Sequence, residues 1–118
     1  VNIRYTPSGI LYGQLSLSPS VLVSSSVSIK SDTWYHILLS WDASATSKLN
    51  LYVNGKLIAS SQSVPNPTTL NTAYSSWGPG LTGLMDEIRY YSQSLQTAEV
   101  EKIYAEGLEK RSLATNLK

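Results

Sequence analysis

Residues 34–42, WYHILLSWD, and residues 51–58, LYVNGKLI, decide how this chain folds. The second stretch sets Asn54 and Gly55 between alternating apolar positions, and both residue types tolerate the positive φ that a two-residue hairpin turn requires. The spacing predicts antiparallel strands over 48–53 and 56–61. In the first stretch Trp34 and Trp41 stand an odd number of positions apart, so an unbroken strand would send them to opposite faces. At least one of the two is expected to lie deep in a core.

Outward from this centre the period of two continues. Residues 10–18 place Leu11, Leu15 and Leu17 on one face, Pro19 and Ser20 mark a turn, and Val21, Val23, Val27 and Ile29 repeat the pattern with serine on the opposite side. Residues 64–83, VPNPTTLNTAYSSWGPGLTG, are rich in proline and glycine and read mainly as loop, with a short strand around Leu70–Tyr74 as a further expectation. Only the last quarter has helical character. Thr97 can cap a helix there, Glu99 and Glu101 favour its positive end, Val100, Ile103 and Tyr104 share a face, and Gly107 suits the left-handed position that ends it. Such a short helix is stable only when docked on a sheet. Residues 1–107 are therefore expected to form one domain and 108–118 a loosely held tail. The implied fold is all-β, a two-sheet antiparallel sandwich with one short C-terminal α-helix.

Bulk composition removes several function classes. Nine Lys and Arg balance eight Asp and Glu without a run of either sign, so nothing in the charge points to nucleic acid. No stretch approaches the roughly 20 apolar residues of a membrane-spanning helix. The absence of cysteine removes disulfides, thiolate metal sites and a cysteine nucleophile together.

The order of motifs is similar to bacterial laminin G-like and pentraxin-like domains of the concanavalin A-like superfamily. A Trp-x-His strand ends in Asp42, a hairpin carries Tyr52, Asn54, Gly55 and Lys56, a strand carries Gly83, Asp86, Glu87, Ile88 and Arg89, and a short Glu-containing helix follows. The resemblance implies a jelly roll, extracellular or displayed on a cell surface, that engages glycans or proteins. Such domains usually carry an additional N-terminal segment with a strand before anything resembling ILYGQLSLS; the sequence is read as lacking it, which implies a longer protein, a compact variant, or a neighbouring segment or subunit that completes the sheet.

Calcium is the usual cofactor of that family, yet no Asp or Glu occurs between Asp42 and Asp86, so the loop 43–85 lacks the carboxylates that such a site needs. Asp32 and Asp42 read as turn residues, and no cofactor is expected. Asp86 and Glu87 are adjacent, so on a strand they point to opposite faces and cannot flank one glycosidic bond. Glu87 with Arg89 reads as a structural charge pair, with Asp86 fixing a loop. His36 has no second histidine to share a metal and reads as a hydrogen-bonded structural residue. No catalytic residue is assigned.

Trp77 and Tyr74 lie in the long loop among small polar residues. Exposed, they would stack on a sugar while Asn66 and Asn71 bond its hydroxyls; folded back, Trp77 would plug one end of the sandwich instead. Two functions follow: recognition of a glycan or surface protein through loops around 43–48 and 65–82, or a structural head of a surface filament acting through subunit contacts.

Overall fold

The computed structural model describes residues 2–15, 21–42, 48–61 and 82–116. The chain runs β1 (Asn2–Tyr5), β2 (Ile10–Leu15), β3 (Val21–Ser28), β4 (Ile37–Asp42), β5 (Lys48–Val53), β6 (Lys56–Ser60) and α1 (Thr97–Asn116). Two antiparallel sheets form, ordered β1-β2-β3 and β4-β5-β6. They face each other as an all-β sandwich, as the alternation predicts. Leu11, Leu15 and Val23 from the first sheet meet Leu49, Leu51 and Val53 from the second, with Leu39, Trp41 and Ile29 packed at the margin. Burying each of the inward leucines and valines contributes about 1.5–3 kcal/mol. Gly13 lies on the inner face of β2, and Leu39 Cδ1 sits where its Cβ would be, 2.3 Å away. A larger residue there would displace the Leu39 side chain.

A second core lies on the back of β4 and β5. Tyr52, Leu95 and Val100 are buried together, with Leu38 and Ile103 against them, so α1 docks on the outer face of the second sheet. Ser40, also on that face, is buried and donates to the Leu95 carbonyl at 3.2 Å while sharing a hydrogen bond with Ser94. The Tyr52 hydroxyl and Thr97 Oγ1 share a further bond of 3.2 Å. Thr97 is therefore spent on Tyr52 and does not cap the helix. The Gln96 carbonyl opens the helical bonding instead, and Glu99 Oε2 reaches back to the Gln96 amide at 2.8 Å, half of a capping box.

The expected hairpin is present. Asn54 and Gly55 have φ of 50° and 77°, the signature of a type I′ turn whose twist matches the flanking strands. Gly55 answers a second demand, because a Cβ there would come within 2.9 Å of the Tyr104 ring on α1.

Four expectations change. The helix does not stop at Gly107 but continues to Asn116, because Leu108, Glu109, Lys110, Arg111 and Leu113 are all good helix formers and outweigh one glycine. Residues 108–116 are thus helix and not a loose tail. Residues 83–91 form no strand: Asp86 Oδ1 accepts the Glu87 amide at 2.8 Å and Glu87 turns to φ 52°, which breaks an extended run. Trp34 lies before β4 and is 49% exposed, while Trp41 is only half-buried, so neither is the deep core residue anticipated. An unforeseen strand, β1, is paired to β2 through the turn Thr6-Pro7-Ser8-Gly9, where Gly9 at φ 83° donates to the Thr6 carbonyl at 2.8 Å.

The two glycines give opposite predictions. Gly55→Ala meets both a positive φ and the Tyr104 ring and should lower stability by roughly 1–3 kcal/mol. Gly107→Ala meets nothing within 4 Å and should raise it by about 0.5–1 kcal/mol. Urea unfolding of both variants checks the pair, and two changes of the same sign would contradict it.

Candidate binding surface

Three surface regions gather polar or aromatic groups. The first lies on the outside of the first sheet. Alternation that buries Leu11, Gly13 and Leu15 turns Tyr12 and Gln14 outward, and the register sets Arg4 opposite Tyr12. Arg4 Nη2 donates to Gln14 Oε1 at 3.1 Å along the diagonal between the strands. Thr6 Oγ1 accepts the Ile10 amide at 3.1 Å and shares a 2.7 Å bond with Ser8, which fixes the end of the hairpin. Arg4, Tyr5, Thr6, Tyr12 and Gln14 line an open groove of about 370 Å³. This group becomes visible only once β1 is paired with β2. The available signal was Thr-Pro-Ser-Gly between IRY and ILY, with proline at the second turn position and glycine at the fourth.

The second region surrounds His36, just before β4. Its backbone amide donates to Asn54 Oδ1 at 3.0 Å and its carbonyl accepts the Asn54 amide at 2.8 Å, so the hairpin turn is clamped to this segment. The imidazole itself departs from expectation. Its ring lies 5.7 Å from that of Tyr104, tilted 39°, and Nδ1 is buried with no hydrogen-bond partner among the described residues. Nearby, the Arg111 guanidinium stacks 4.9 Å over the Trp34 ring. Tyr104 and Arg111, seven residues apart on one helix face, thus clasp the strand entry. This is structural packing without a partner acid or base.

The third region is the segment 82–93, exposed throughout. Leu84 is 81% and Tyr90 66% exposed, and Met85, Ile88 and Tyr91 accompany them. Glu87 pairs with Arg89 and lies 3.9 Å from Lys110; Tyr91 first, and then the Glu87 carboxylate, raise the Arg89 pKa above its ordinary value. The structural reading of Glu87, Arg89 and Asp86 holds, although the segment is not a strand.

Asn66, Asn71, Tyr74 and Trp77, the residues singled out for ligand binding, lie outside the described residues, as do 43–47 and the rest of 62–81, with Leu17, Pro19 and Ser20. Asp32 occupies a turn at φ 55°, in keeping with its expected role. Among the described residues no group of three or more His, Cys, Asp or Glu could hold a metal ion, and no helix is long and apolar enough to cross a membrane.

Burial lowers the His36 pKa below its ordinary 6.5, and the Arg111 and Arg89 charges add to the shift. The unfolded chain then binds the proton more readily than the fold does. This contribution to stability is present above about pH 6.5 and declines as pH falls from there toward the folded-state pKa. His36→Gln should therefore lose less melting temperature than the parent between about pH 7 and pH 5. Equal losses would contradict this.

Comparison with known proteins agrees with the sandwich. The sequence profile described as concanavalin A-like lectin/glucanases superfamily, a laminin G-like profile, matches residues 3–101. No curated protein matches the chain. Among solved structures, an S-layer domain-containing protein from Clostridium thermocellum, residues 221–444, superposes with a TM-score of 0.57 at 16% identity, over 81% of this chain and 52% of that one. The chain thus spans about half the length of that structure. With the profile covering most of its length, the chain belongs to the laminin G-like branch of the concanavalin A-like lectin/glucanase superfamily.

Proposed function

We propose that this chain is a non-catalytic recognition module of an exported or cell-surface protein, binding carbohydrate or protein. The observation that carries this reading is how the side chains divide. Those best suited to chemistry serve the scaffold: Glu87 is held by Arg89 and Lys110, Asp86 caps its own chain, and the His36 ring is packed under α1. The aromatic and polar side chains of the β1–β2 groove are instead presented to solvent on paired strands. Its superfamily is named for lectins as well as glucanases, which supports a binding role, and the fold shared with an S-layer domain-containing protein supports a surface setting.

The loop residues Asn66, Asn71, Tyr74 and Trp77 belong to the same reading as a second contact region. A glycan array, run with and without calcium, should detect binding that is independent of the metal. Trp77→Ala should then weaken glycan binding severalfold with little change in melting temperature. A large loss of stability would show that Trp77 plugs the sandwich and would remove the loop from the binding surface.

A specific observation favours a second reading, the structural head of a surface filament. Leu84, Met85, Ile88, Tyr90 and Tyr91 are all exposed within one short segment of the chain. If subunit contact is the main function, the chain should self-associate with rising concentration in sedimentation velocity, and Ile88→Asp should keep it monomeric. A parent that stays monomeric throughout would remove this alternative.

A further inference from the structure

We propose that the β1–β2 groove is a subsite for a saccharide carrying a carboxylate; this names a ligand class and rests on the recognition reading above. The groove presents one cation, Arg4, with no ion-pair partner among the described residues. The ion pairs of the described residues engage Glu87 with Arg89 and with Lys110, and none engages Arg4. Gln14 Oε1 holds one end of the guanidinium at 3.1 Å, which limits its rotation and leaves its remaining N–H groups for a ligand. A planar guanidinium held this way suits a carboxylate, which it can bind through two parallel hydrogen bonds.

The rest of the lining selects a sugar as the carrier of that charge. Tyr12 supplies a ring whose face suits the C–H surface of a pyranose, and its hydroxyl takes part in no hydrogen bond among the described residues. The Gln14 amide nitrogen is likewise uncommitted, so donors and acceptors for ring hydroxyls stand beside the aromatic face. A bare phosphate would gain nothing from the tyrosine ring, and an apolar ligand would leave Arg4 desolvated without a partner. The volume of about 370 Å³ sits at the small end of ligand sites, which run from about 300 to 1,000 Å³, and fits a short saccharide. Arg4, Tyr12 and Gln14 lie on paired strands, so the subsite is formed before the ligand arrives.

The test uses the whole chain against an array of galacturonate, glucuronate and sialate oligomers and their neutral counterparts, followed by calorimetry on the best binder. At least one carboxylated oligomer should bind tenfold or more tightly than its neutral counterpart, and added salt should shrink that difference. Arg4→Gln should abolish the preference without lowering the melting temperature, since Arg4 is exposed. Tyr12→Phe should retain most binding and Tyr12→Ala should lose it. No preference for carboxylated sugars, or a preference that survives Arg4→Gln, overturns the subsite. Glycan binding unaffected by both Arg4→Gln and Tyr12→Ala also overturns the subsite while leaving the recognition reading intact. Absence of any glycan or surface-protein binding removes that reading itself.

Discussion

Strand β5 is buried on both faces, and the arrangement of the rest depends on it. Leu49, Leu51 and Val53 point into the sandwich, while Tyr52 points the other way and is covered by Leu95 and Val100. A strand of a two-layer sandwich ordinarily keeps one face for water. Here the second face is closed by α1, so the helix is a third layer over the second sheet. The hairpin turn joins the two cores: Asn54 is clamped to His36, and Gly55 lies beneath Tyr104 of the helix. A change at the turn is therefore felt in both.

Local chemistry made part of this legible from the residues alone. Asn54-Gly55 between alternating apolar residues specifies its turn whatever surrounds it, and the inward leucines of β2 follow from a period of two. The missed features depend on competition or on distant contacts. Gly107 looks like a helix end, but the residues after it favour helix strongly enough to continue. Trp34 has the composition of a core residue, yet the strand begins three positions later and Arg111, from the far end of the chain, stacks on it instead. Thr97 has the right chemistry for a cap, but a tyrosine on β5 claims its hydroxyl.

The candidate site was less legible than the fold for a related reason. Aromatic residues in a glycine- and proline-rich stretch attract attention because its composition is conspicuous, whereas Arg4, Tyr12 and Gln14 become neighbours only once two strands are in register. Asp86 and Glu87 illustrate the converse. Their adjacency suggests chemistry, but the structure commits one to its own backbone and the other to two cations. Division of labour follows, with scaffold on the inner faces and helix side, and uncommitted polar and aromatic groups on the outside of the first sheet.

The claim that both cores rest on β5 is tested most directly by native-state hydrogen exchange on a Leu51→Val variant. Leu51 touches only the sandwich core, on the face away from α1. If β5 couples the layers, protection should fall together in β4, β6 and the docked turns of α1 around Val100 and Tyr104. Unchanged protection in α1, with loss confined to the sheets, would show that the helix is held independently and would contradict the account.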